Sequence, residues 1–278
     1  MQKIPKILLL GSPFLVIDST LYASQIEPWQ LGFQKPATEL MANVISFHDY
    51  LLMPIITGIT LFVLFLIGYV CFRFNKNRNP VPSNTTHNTL VEILWTVIPV
   101  IILIVIAIPS FKLLYTVERI PESDITIKAT GNQWYWNYEY PDYGNFSFDS
   151  IMLEDEELGK DDYRLLSADT SIVVPVGKVI KILITSNDVL HAWTIPAFGI
   201  KMDAIPGKIN ETWFKAEYEG KFYGQCSELC GIRHAFMPIN VEVVSEEKFK
   251  SWVELSQEKY ALNYEIEDIA NQLALNIN

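Results

Sequence analysis

At 278 residues the chain is long enough for one or two domains, and half of it is hydrophobic. The formal charge of −11 argues against a nucleic-acid partner, which draws on basic patches. A positive mean hydropathy of +0.18 points instead to membrane segments.

Residues 1–23 carry Lys3 and Lys6 ahead of the apolar run Ile7 to Ile17, too short to span a bilayer comfortably. They read as a signal peptide cleaved near Ala23, with an uncleaved anchor as the alternative. Residues 24–115 hold an N-terminal segment and two apolar stretches, about 51–72 and 93–114, each of spanning length. Pro54, Pro99 and Pro109 would break soluble helices but are tolerated in a membrane. Two buried helices of one soluble domain are the alternative. The loop between the stretches carries Arg73, Lys76 and Arg78, so it belongs on the cytoplasmic or matrix side, with both termini outside. Cys71 reads as a packing residue. Thr89-Leu90-Val91-Glu92 fits a capping box at the start of the second span, and an acid near a membrane helix is also a proton-path candidate.

Beyond Tyr115 the pattern changes to short strands. Ile125–Thr130, Trp134–Tyr140, Ser171–Val176, Val179–Thr185, Glu211–Phe214, Lys221–Gly224 and Pro238–Val244 alternate or are rich in β-formers. Glycine and proline at Gly144, Gly177, Gly199, Pro206-Gly207 and Gly220 cut them to sandwich length. Residues 116–244 therefore predict a soluble all-β domain, a Greek-key sandwich or barrel, behind a membrane α hairpin. Residues 245–278 predict a helix and an acidic tail, with Phe249, Trp252 and Val253 on its apolar face.

The chemistry is concentrated between Cys226 and Met237, where two thiols (Cys226, Cys230), an imidazole (His234), a thioether (Met237) and a carboxylate (Glu228) fall within twelve residues. These soft or borderline ligands suit copper. His191 is the other histidine beyond the apolar half. Zinc also takes Cys and His, although it has no use for a thioether. A disulfide between Cys226 and Cys230 remains open if the domain faces an oxidising compartment.

Cys226-Ser-Glu-Leu-Cys-Gly-Ile-Arg-His-Ala-Phe-Met-Pro238 resembles the binuclear copper A loop of the cytochrome c oxidase subunit 2 family. Asp188-Val-Leu-His-Ala-Trp193 resembles its remote-histidine loop, and the likeness covers roughly residues 29–244. It implies a cupredoxin-like fold in which Cys226 and Cys230 bridge two coppers, capped by His191 and His234. Met237 and the carbonyl of Glu228 would be weak ligands. The side chain of Glu228 would bind magnesium or manganese shared with subunit 1, or else pair with Lys201. Trp134 would be the electron-entry residue. Glu139, Asp142 and Asp188 would dock a basic c-type cytochrome, and Glu92 would open a proton path.

The resemblance further implies an oxidoreductase and proton-translocating complex. Its electrons would pass to haem a of subunit 1, where oxygen is reduced to water, with subunit 3 as a further partner. The membrane would be the bacterial plasma membrane or the mitochondrial inner membrane, with the copper domain on the periplasmic or intermembrane side. A copper-free quinol oxidase subunit 2, acting as a docking module, is the competing reading, but it should lack the cysteine pair. No oxygen-reducing centre is evident in the chain.

Overall fold

The computed structural model of the protein describes residues 26–27, 29–81 and 83–275, with side chains through Tyr260. The expected signal segment at 1–23 lies outside the described residues. Helix α1 (Glu39–Phe47) runs through a π turn (His48–Leu52) into α2 (Met53–Arg73), and α3 (Thr89–Glu118) returns. The continuous helix Glu39–Arg73 has 35 residues. At about 1.5 Å per residue it is longer than a bilayer core of about 30 Å, so part of it stands outside. The side chains of α2 and α3 are apolar on all faces and exposed, including Leu61, Phe65, Ile101 and Leu103. Such faces are stable only against lipid or other membrane helices.

The continuous helix Glu39–Arg73 and α3 both begin earlier than the apolar runs suggest. The cap of α3 is also one residue earlier than expected: Asn88, not Thr89, accepts from the Val91 N–H at 3.2 Å. Glu92 reaches back to accept from the Asn88 N–H at 3.2 Å, so the reciprocal capping survives with the frame shifted.

The β-domain contains β1 (Ile125–Asn132), β2 (Tyr135–Tyr140), β3 (Phe146–Ser150), β4 (Ile172–Pro175) and β5 (Ile180–Ser186). It continues with β6 (His191–Ile195), β7 (Ile200–Ala204), β8 (Asn210–Phe214), β9 (Gly220–Gln225) and β10 (Pro238–Val244). One sheet has the order β3-β2-β1-β5-β8, a second β4-β10-β9, and β6 pairs with β7. Period-2 alternation turns Ile127 and Ala129, Trp136, Tyr138 and Tyr140, and Ile180, Ile182 and Ile184 into the core between them. Strand β4 is buried on both faces because helix α4 (Glu246–Leu275) covers it. Phe249 and Val253 are buried there, and Trp252 packs 5.2 Å from the Tyr140 ring, as the apolar face of that helix predicts.

A strap that no sequence pattern announced ties the hairpin to the β-domain. The Ala37 N–H donates to Ala197 O at 2.8 Å, and Ala37 O accepts from the Glu217 N–H at 2.9 Å. Thr38 both caps α1 through the Met41 N–H and donates to Phe198 O at 2.8 Å. Ala37 and Leu40 thereby join the domain core.

Candidate metal centre

Three connections meet at one end of the sandwich. The register fixes this, because Asn132 pairs with Tyr135 at the β1–β2 turn and Gly131 lies beside Ser186 at the end of β5. Gln225 pairs with Pro238 where the β9–β10 loop leaves the second sheet. That loop is pinned by Cys226 N–H to Met237 O at 3.1 Å and Ser227 N–H to Ala192 O at 3.0 Å. His191, Cys226, Cys230 and Met237 are consequently all buried, and His234 sits on a single 3-10 turn beside them.

The two sulfurs lie 3.9 Å apart and both thiols are free, so no disulfide joins them. His191 Nδ1 is 3.8 Å from Cys226 Sγ, and His234 Nδ1 is 3.5 Å from Cys230 Sγ. Met237 Sδ is 3.5 Å from Cys230 Sγ, and Glu228 O is 3.3 Å from Cys226 Sγ. Each sulfur thus has its own imidazole and its own weak donor. The ligand atoms of His191, Cys226 and Cys230 lie within 4.8 Å of one another. With metal–sulfur bonds of about 2.3 Å, one ion can touch both sulfurs across this gap. Two thiols, two imidazoles and a thioether fit copper, and the thioether has no counterpart in a structural zinc site.

The His191 ring is held from three sides. Its Nε2 is 2.8 Å from Asp188 Oδ1, and Trp136 meets it edge-on at 6.0 Å. A Cβ on Gly131 would come within 2.8 Å of the ring, so only glycine leaves it room. Burial would lower the imidazole's proton affinity, but Cys226 and Asp188 outweigh it and raise the His191 pKa. Burial likewise opposes the Cys226 thiolate, yet His191 and the backbone at Glu228 and Ala192 bring it down to about 7. Burial and the neighbouring Cys226 charge push Cys230 up. Asp188 resists its own burial through His191 and the Val189 and Gln133 N–H groups, and its pKa is lowered.

Trp134 was expected to open a strand but lies in the β1–β2 turn, where its Nε1 donates to Cys230 O at 3.2 Å. The three acids considered for docking are scattered. Asp188 is turned inward to His191. Glu139 pairs with Lys128 at 3.0 Å. Asp142 accepts from the Thr126 N–H at 2.7 Å, at the start of β1. Thr126 is six residues from Asn132, about 20 Å along the strand from the metal-centre end. The Glu228 side chain is exposed, and no ion pair with Lys201 forms among the described residues. Glu92 is more than thirty residues from the β-domain, in the cap of α3. The sequence pattern did not single out Gly131, Gln133 or Trp136; a glycine inside a strand pattern was the available signal for the first.

Residues 26–113 match the profile of the cytochrome c oxidase subunit II transmembrane domain, and residues 125–244 match that of its periplasmic domain. A probable cytochrome c oxidase subunit 2 of Rickettsia bellii is 51% identical over 256 residues, 92% of this chain and 94% of that relative. The chain belongs to the cytochrome c oxidase subunit II family. The subunit 2 of Cereibacter sphaeroides is 46% identical over 246 residues, covering 82% of this chain and 80% of that one. The crystal structure of the periplasmic domain of subunit II of cytochrome oxidase from Bradyrhizobium japonicum is 57% identical, with a TM-score of 0.48, over 51% of this chain and 99% of that chain. As a subunit II family member, the chain is a membrane protein with a soluble periplasmic domain, and its relatives serve an oxidoreductase.

Proposed function

We propose that this subunit II is the electron-entry subunit of a cytochrome c oxidase, holding a binuclear copper A centre. The observation that carries the reading is the pair of sulfurs 3.9 Å apart, each with its own histidine nitrogen. Cys226 and Cys230 would bridge the metals and His191 and His234 would cap them, with Met237 and Glu228 O as weak donors. When bound, such a copper pair takes up and gives up one electron with little movement of its ligands. The chain's part is to keep those ligands still: the ladder ends, the buried thiols and the clamped His191 ring do so. Burial of the sulfurs also excludes water.

Electrons would come from a c-type cytochrome, with Trp134 as the entry residue, because its indole N–H bonds directly to the carbonyl of a bridging cysteine. They would leave to haem a of subunit 1, with subunit 3 as a further partner. Glu139, Asp142 and the part-exposed Asp188 would dock the basic cytochrome. Exposed Glu228 would offer its carboxylate to magnesium or manganese at the subunit 1 interface, and Glu92 is the proton-path candidate. The membrane would be a bacterial plasma or mitochondrial inner membrane.

The test is stopped-flow reduction of the assembled oxidase by a reduced c-type cytochrome. Trp134→Phe should slow electron entry by at least about tenfold, without reducing copper content, since an outer contact rather than a ligand is removed. An unchanged rate would remove Trp134 from the path.

A further inference from the structure

We infer that Gln133 is a positioning residue that joins the remote-histidine side of the centre to the cysteine loop; this rests on the copper reading above. Its two ends are engaged in opposite directions. The backbone N–H donates to Asp188 Oδ2 at 2.6 Å, and the other oxygen of that carboxylate holds His191 Nε2 at 2.8 Å. The side-chain Nε2 donates to Cys230 O at 2.7 Å. A continuous run of hydrogen bonds thus passes His191–Asp188–Gln133–Cys230, linking residues 97 apart in sequence at the ends of that last contact.

No other described hydrogen bond joins the β1–β2 turn to the cysteine loop except the longer one from Trp134, at 3.2 Å. Loops are the more mobile parts of such a scaffold, so each bond that crosses between two ligand segments restrains both. Gln133 adds a crossing of its own to the Ser227 N–H to Ala192 O bond, and does so with a neutral donor, which adds no charge to the centre. Gly231, beside Cys230, has a φ of +118°, and a Cβ there would approach Gln133 Nε2 to 3.1 Å. The loop therefore comes as close to the amide as a glycine allows. Partners one step beyond the ligands set ligand orientation and metal affinity.

The variants are Gln133→Met, which keeps the length and loses the donor, and Gln133→Glu, whose carboxylate faces Cys230 O without a proton to give. Both are made in the full chain in detergent. In the metal-free protein, amide exchange across residues 226–237 should quicken by about fivefold, the scale of one lost hydrogen bond, with the core strands unchanged. With copper added, affinity measured by chelator competition should fall by about tenfold and the electron paramagnetic resonance hyperfine pattern should change. Exchange unchanged in both variants overturns the inference whatever the metal does. Quickened exchange together with a wild-type chain that binds no copper leaves Gln133 as the tie between the loops and sinks the copper reading instead.

Discussion

Asp188 Oδ1 lies 2.8 Å from His191 Nε2, and this contact decides which nitrogen of the imidazole is free. With the proton of the neutral ring on Nε2, facing the carboxylate, Nδ1 turns its lone pair toward Cys226 Sγ, 3.8 Å away. An acid that the family resemblance offers for cytochrome docking thereby also orients a ligand.

Asp188→Ala should weaken copper binding by about tenfold or more, the usual cost of removing a ligand's orienting partner. Chelator competition without any cytochrome present measures it. The loss should persist at high salt, where a purely electrostatic docking role would fade.

The metal-free thiols should titrate unequally. Burial opposes both, but His191 brings Cys226 down to about 7, while Cys230 is pushed up by burial and by the Cys226 charge. The Cys226 thiolate fraction should therefore rise as pH increases through about 7, and Cys230 should stay protonated at that pH. Mass-resolved alkylation with a small reagent against pH reads both sites. Equal midpoints in the ordinary thiol range would contradict the geometry.

Gly131→Ala would place a Cβ 2.8 Å from the His191 ring, beside its cross-strand partner Trp136, which already meets that ring edge-on. Overpacking of this kind costs about 1–3 kcal/mol, which denaturant unfolding followed by tryptophan fluorescence would register. Copper affinity should fall as well, because a ring pushed off Gly131 carries Nδ1 with it. A variant that loses stability but keeps its copper spectrum would show that the ring has room to move.

Much of the site is legible in the sequence because five of its donors share one loop. Cys226, Glu228, Cys230, His234 and Met237 need no knowledge of the fold to be read together. His191 is different: thirty-five residues away, it is joined to the others only by resemblance until β6 and the cysteine loop are seen to meet at Ala192 and Ser227. Gln133 was illegible for the same reason, since a glutamine in an aromatic turn carries no signal of a bond to Cys230. The spanning stretches and most strands follow from hydropathy and period; β3, β6 and β7 escape, β6 because its residues are buried on both faces and do not alternate. Asn88 and Thr89 are both good caps, so only the geometry distinguishes them. The strap at Ala37 and Thr38 depends on pairing with residues about 160 and 180 positions later, which no local pattern announces.

The most direct measurement is copper per protein in the purified full chain, with the electron paramagnetic resonance spectrum of its oxidised form. Two coppers sharing one unpaired electron are predicted, with loss of that signal in Cys226→Ser. One copper with a localised electron, or none with Cys226 and Cys230 still reduced, would contradict the assignment of an electron-entry centre.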